Sequence, residues 1–224
     1  MWEKRSEPLT LLLACALFAQ TCGCATYRAR QLPLSTAAST SSSIAQSELE
    51  LGAALWYSKL QTQLYFDTNL PKRRLAPVYV ALKNQGSHVA RLRVAKMQLA
   101  ADNVSGPLSP VSFDAATDRM RRKAIGPAVV WAAIGLVTLF FALIFSPMGS
   151  ALAISQTASV NDRMKQDIWT KILKDTDLSQ GQEIRGVVFF DMPKGVKALE
   201  QPRLICPVGL NGPSDAVTLE LKLT

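Results

Sequence analysis

Residues 124 to 161 carry no charged side chain, and this stretch limits what the rest of the chain can be. Its first half, Ala128 to Phe145, reads Ala-Val-Val-Trp-Ala-Ala-Ile-Gly-Leu-Val-Thr-Leu-Phe-Phe-Ala-Leu-Ile-Phe. As a helix it would be about 27 Å long, roughly the thickness of a bilayer's hydrocarbon core. Arg119, Arg121, Arg122 and Lys123 stand just ahead of it. Ser146-Pro147-Met148-Gly149 then breaks the run, because proline disfavours helix at the residue before it. Beyond the break a second helical segment is expected from Ser150 to Asp175. In it Ala151, Ser155 and Ser159 recur every four residues, on one helical face. Small residues at that spacing let two helices approach closely. Ala128, Ala132 and Gly135 offer a matching small face on the first arm, and with Phe140, Phe141, Ala151, Ser155 and Ser159 they make up the candidate membrane or assembly face. Farther along, Met164, Ile168 and Ile172 form an apolar stripe opposed by Asp162, Lys165 and Asp167, the pattern of an amphipathic helix.

The flanks read differently. Val78, Val80 and Leu82 alternate with Tyr79, Ala81 and Lys83, which predicts a half-buried strand. Asn84-Gln85-Gly86-Ser87 signals a turn, so a hairpin with the run His88 to Leu99 is expected. Within that second run the apolar phase slips, from Leu92 and Val94 to Ala95, Met97 and Leu99, which marks a bulge or break. Val111 to Phe113 suggests one more short strand, and Asp118 lies near the start of a helix over 116–123. Residues 48 to 65 are ambiguous: Leu49, Ala53, Leu55 and Leu60 could line a helix, and Leu60 to Phe66 could equally be a strand. After the apolar stretch, Gln182 to Asp191 and Leu204 to Val208 read as strands. Val217, Leu219, Leu221 and Leu223 alternate with polar residues and make another. About three strands on each side are too few for a sandwich, but together they suffice. The expected fold is therefore mainly β, an immunoglobulin-like sandwich interrupted by a hydrophobic helical hairpin.

The net charge is +8, and its distribution is uneven. Cys24 to Lys123 holds 14 basic and 6 acidic residues, whereas Asp162 to Thr224 holds 9 of each. Lys72-Arg73-Arg74 follow Pro71 in a loop and, with Arg119, Arg121, Arg122 and Lys123, make up the candidate basic surface. Such a surface favours anionic partners. Aromatic interleaving or a docking helix, which nucleic-acid binding would need, is not visible, and no nucleic-acid partner is expected.

Residues 1 to 24 have the layout of a secretory leader: Lys4 and Arg5, an apolar run from Leu9 to Ala19, then small residues. Its end, Thr21-Cys22-Gly23-Cys24-Ala25, resembles the processing site of bacterial lipoproteins, with Thr21 where that family usually has Leu. The resemblance implies that Cys24, or as second choice Cys22, becomes the first mature residue and carries acyl chains. It also implies, from Ala25, sorting to an outer membrane. More than one acyl chain supplies the strength that stable anchoring needs. A lipidated Cys24 could not pair with Cys206, so no disulfide is expected, and Cys206 reads as a small buried residue in a strand. Residues 33 to 47, rich in Ser, Thr and Ala, read as a flexible spacer within a lipidated tether over 24–47.

Pieced together, the expected organisation is a signal peptide at 1–23, the tether at 24–47, half a sandwich at 48–116, the hairpin at 117–176 with its apolar arm at 128–145, and the second half at 177–224. The positive-inside rule would put Lys123 in the cytoplasm, but the leader exports it, and the leader decides. The segment Tyr65-Phe66-Asp67 to Asn84, the hairpin, and Ile184 to Phe190 extend the likeness to uncharacterised bacterial envelope lipoproteins. No catalytic constellation, metal-ligand spacing or phosphate loop is present in the sequence, and His88 is its single histidine. The expectation is a non-enzymatic envelope protein, without metal or cofactor, facing the periplasm. Its partners would be a membrane and, for assembly, a second copy or another envelope protein. Two other readings stand beside it: a periplasm-facing module sheltering a lipid or hydrophobic ligand, and an inner-membrane protein with a single span.

Overall fold

The computed structural model describes residues 27–121, 158–210 and 216–223. The chain divides into two compact units, one of Arg28–Arg121 with Met164–Thr224, the other of Met1–Tyr27 with Arg122–Arg163. The β-structure belongs to the first unit. Among the described residues the chain is mainly β, with two antiparallel sheets and three α-helices.

The first sheet has the order β1-β2-β3-β7: β1 Ser42–Gln46, β2 Leu49–Leu55, β3 Leu75–Asn84 and β7 Glu183–Asp191. The second comprises β4 Ala90–Leu92, β5 Gln98–Ala100, β6 Thr176–Leu178, β8 Arg203–Leu210 and β9 Ala216–Lys222. There β8 is the hub, pairing with β4, β5 and β9, while β6 pairs with β4. Each sheet takes strands from both sides of the apolar stretch. Their inner faces share one buried cluster: Leu51, Val78, Val80 and Phe190 from the first sheet, Leu92, Leu204, Cys206 and Leu219 from the second. Burial of apolar surface on this scale, at about 25 cal/mol per Å2, is what holds two sheets together.

The hairpin expected between Leu75–Asn84 and the following run does not form. β3 pairs with β2 and β7, and the chain then crosses to the other sheet, where β4 pairs with β6 and β8. Asn84 fixes the crossing. Its buried side chain donates to His88 O (2.7 Å) and Leu178 O (2.9 Å) and accepts from Gly86 N–H (3.0 Å). A turn signal alone does not say which strand follows it into which sheet. β3 is also buried on both faces, not one. Val78, Val80 and Leu82 face the core, while Tyr79 lies under the aromatic layer described below. The phase slip after Leu92 is a true break: β4 ends there, a 3-10 turn spans Val94–Lys96, and β5 follows.

The ambiguous stretch 48–65 resolves as strand, then helix. Ser58 caps α1 (Lys59–Phe66), its hydroxyl accepting from Gln61 N–H at 3.1 Å. This helix lays an aromatic layer on the outer face of the first sheet. Trp56 stacks between Tyr65 (4.5 Å) and Tyr79 (5.2 Å), and Phe66 meets Phe189 edge-on at 5.4 Å. Each such contact adds about 0.5–1.5 kcal/mol beyond simple burial.

The Ser/Thr/Ala stretch expected to be a spacer is fixed in place from Arg28 onward. Arg28 N–H donates to Asp67 Oδ2 (3.0 Å) and Arg30 N–H to Leu64 O (2.8 Å). Tyr79 Oη donates to Ser35 O (2.8 Å), with Pro33 O at 3.2 Å. Ala37 is buried, and its N–H reaches Glu183 Oε1 (3.1 Å). Ser42–Gln46 is β1, an edge strand in register with β2. Backbone and hydroxyl bonds do this work, and composition does not reveal them.

Two helices flank the apolar stretch. α2 (Phe113–Met120) is capped by Ser112, whose hydroxyl accepts from Ala115 N–H at 3.3 Å, so Val111 to Phe113 is not a strand. α3 covers 158–171. Met164 and Ile168 are buried, as the stripe predicts, while Ile172 leaves the helix to bridge Val187. The two helices touch: Trp169 packs edge-on against Phe113 (5.0 Å), and Lys165 bonds Asp114 (3.3 Å). Their outer ends also cover the free edge of β7. Val111 N–H donates to Phe189 O (2.7 Å) and Leu173 N–H to Val187 O (3.0 Å). Gly186 permits this approach, since a Cβ there would lie 2.6 Å from Leu173 N.

Candidate functional site

The end of the β-unit where β3 begins and β7 finishes collects most of the basic residues singled out in the sequence. α1 closes on Asp67, in the left-handed region (φ 52°). The chain then makes a 3-10 turn over Pro71–Arg73, with Asn69 Oδ1 accepting from Lys72 N–H (3.3 Å). This turn pushes Lys72 and Arg73 into solvent. Arg74 also takes left-handed backbone (φ 58°), which turns its side chain toward β7.

Arg74 and Arg119 converge on Asp191, the last residue of β7. Arg119 grips the carboxylate with both nitrogens, at 2.6 and 3.0 Å, and Arg74 stands 3.6 Å from it. Arg74 Nε also donates to Met192 O (3.2 Å), and Met192 N–H donates back to Arg74 O (3.0 Å). A bidentate arginine–carboxylate pair is the strongest form of this contact. Hydrogen bonding from Arg119 holds the Asp191 carboxyl below its ordinary range, against the opposing effect of burial. The same bond raises Arg119. The cluster borders a groove of about 460 Å3 whose other walls include Leu108, Pro110 and Met192.

A depressed carboxylate stabilises the fold above the unfolded-state pKa of about 4, and the benefit disappears as pH falls through the lower folded value. In urea unfolding, Asp191→Asn should therefore be less stable than the parent near neutrality. The gap should close as pH drops below about 4. Because Asp191 is 45% exposed, the gap should be modest.

Lys72, Arg73, Arg74, Arg119 and Arg121 are brought to one end, whereas Arg122 and Lys123 lie outside the described residues. Ser159 sits exposed in α3. Cys22, Cys24, Ala128, Ala132, Gly135, Phe140, Phe141, Ala151 and Ser155 lie outside the described residues, as does the arm 128–145. Among the described residues no helix is long and apolar enough to cross a membrane. Nor does any group of three or more His, Cys, Asp or Glu there have the geometry to hold a metal ion.

Sequence reasoning missed two features. Asp191 gives no local sign that two arginines, one 72 and one 117 positions earlier, will meet on it. Lys171, which nothing in the sequence singles out, is buried. Its ammonium bonds Asp167 Oδ2 (2.5 Å) and Tyr65 O (2.8 Å) and lies over the Phe66 ring, tying α3 to the end of α1.

Cys206 is where the sequence put it, in β8 and fully buried. Burial pushes its thiol up to about 12. Since the thiolate is the reactive form, iodoacetamide at pH 8 should modify Cys206 about a thousandfold more slowly in the folded protein than in urea. Rapid native labelling would contradict its placement.

No family model matches the chain, and no curated protein matches it. Among solved structures it is similar to the crystal structure of the yjhA protein from Bacillus subtilis. That likeness has a TM-score of 0.41 at 11% identity, and covers 83% of this chain and 98% of that one. A likeness this distant carries no argument about family or function.

Proposed function

We propose that the chain is a non-enzymatic, lipid-anchored protein of the bacterial cell envelope, facing the periplasm from the outer membrane. It is held at two points, by acyl chains on Cys24 and by the apolar arm 128–145, which enters a membrane or an assembly of copies. In this reading the two sheets are an immunoglobulin-like sandwich into which the helical segment is inserted.

The observation that carries the reading is the contact between α2 and α3. The uncharged stretch departs after α2 and rejoins at α3, and these helices pack together through Phe113, Trp169, Asp114 and Lys165. A segment that leaves and returns at neighbouring points keeps both flanks in one compartment. A single span would separate them, yet strands from both flanks share both sheets. The leader and its Cys24 supply the second attachment.

Metabolic labelling with radioactive palmitate tests the anchor. Label should enter the parent chain and be lost in Cys24→Ser. Label lost in Cys22→Ser and retained in Cys24→Ser would move the anchor by two residues. An unlabelled parent would remove the lipoprotein reading.

A further inference from the structure

The docked segment 28–41, here called the strap, and the basic cluster together give the folded unit a direction. We propose that the end bearing Arg28, Arg30, Lys72, Arg73, Arg74, Arg119 and Arg121 is a docking face for an anionic lipid surface, lying close against it. The proposal rests on the reading that Cys24 is the lipid anchor.

Three observations lead there. The first is reach. A flexible spacer from Cys24 to residue 47 would let the domain drift as far as about 80 Å from the lipid, at about 3.5 Å per residue. The chain is instead tied down at Arg28, whose N–H bonds Asp67. Only four positions separate Arg28 from Cys24. Fully extended, they span at most about 14 Å.

The second is where the chain enters and leaves. Arg28 docks beside Asp67 at the end of α1, and Arg121 ends α2, two residues beyond the side chain that grips Asp191. Both connections toward membrane-seeking segments therefore start from the end of the unit where β3 begins.

The third is charge. Besides the mutually neutralising Lys171–Asp167 pair, seven cations stand at this end, six of them exposed and Arg119 half-buried, against the carboxylates of Asp67, Asp118 and Asp191. At the other end of β3 the balance reverses. Glu48, Glu50 and Glu183 gather near Asn84, with Lys83 and, two residues from Glu183 on β7, Arg185 as the cations among them. The two ends are separated by the length of β3, nine steps from Leu75 to Asn84 or about 30 Å at strand spacing. A body with one cationic and one anionic end orients itself over a negative leaflet.

The test uses the full chain reconstituted in two sets of vesicles, phosphatidylcholine alone and phosphatidylcholine with about a third phosphatidylglycerol. A water-soluble acetylating reagent then probes the amines, read by mass spectrometry. Lys72, at the basic end, should react about fivefold or more slowly in the anionic vesicles, relative to Lys96 in the 3-10 turn between β4 and β5. The protection should fade at high salt. It should also fade in the triple variant Arg28→Gln, Arg73→Gln, Arg121→Gln, whose exposed side chains make no hydrogen bond or ion pair among the described residues. Equal reactivity of Lys72 in both vesicles, with the chain still floating on them, would overturn the orientation and leave the two-point anchor standing. A chain that floats with neither vesicle would overturn both.

Discussion

Gly52→Ala is expected to release residues 28–41 from the sheet while the two-sheet core stays folded. Gly52 lies in the middle of β2, paired on one side to Ser43 and on the other to Ala81, so its backbone cannot yield. A Cβ there would sit 2.1 Å from Ala37 O and 2.1 Å from Thr40 Oγ1. Overpacking of this kind costs about 1–3 kcal/mol and occasionally more when nothing can move. Here the strap can move. What opposes its release is a short set of hydrogen bonds, from Arg28, Arg30, Ala37 and Tyr79, each worth about 1 kcal/mol net. The clash and the bonds are of similar size, so strap opening should change from rare to common. Hydrogen exchange should show amides in 28–41 exchanging about a hundredfold faster, with β3 and β7 amides little affected. Unchanged exchange in the strap would mean that it does not lie on Gly52 in solution.

The largest loss of global stability is expected from Asp167→Ala. The Lys171 side chain is 4% exposed and depends on Asp167 Oδ2 and Tyr65 O. Removing one partner of a buried pair leaves an uncompensated charge and costs about 3–5 kcal/mol. Asp167 is 26% exposed, so water softens the loss toward the lower figure. Lys171→Met should do much less harm, within about 1 kcal/mol, since it keeps the apolar stem beside Phe66 and removes the charge itself. Urea denaturation of the two variants decides the matter. Lys171→Met falling as far as Asp167→Ala would show that the ion pair, not relief of a buried charge, sets the stability.

How much of this was legible follows from what each feature depends on. Strands whose signal is local could be read directly: Gln182–Asp191, Leu204–Val208 and the Val217–Leu223 alternation are β7, β8 and β9. The apolar stripe Met164–Ile168 and the buried Cys206 were visible for the same reason. Pairing partners were not. Asn84 belongs to a run with every mark of a hairpin turn, yet its side chain bonds Leu178, 94 positions away. The strap defeated composition because its hold is made of main-chain donors and one tyrosine hydroxyl, which Ser/Thr/Ala content does not report. In the candidate site, the cations themselves stood out in the sequence. Their gathering did not, since it depends on Arg74 adopting left-handed backbone and on β7 ending where α2 passes.

Two-point attachment is tested most directly by removing each point in turn. One variant replaces residues 1–23 with an ordinary cleaved secretory leader and carries Cys24→Ser. A second joins α2 to α3 in place of 124–157, and a third combines both. Protection of Cys206 from iodoacetamide verifies that each still folds. After carbonate washing, either change alone should leave the protein with the membranes, and the combination should release it. Release on loss of Cys24 alone, with 124–161 intact, would place the arm in an assembly of copies, and a doubly altered protein that stays membrane-bound would contradict the two-point anchor.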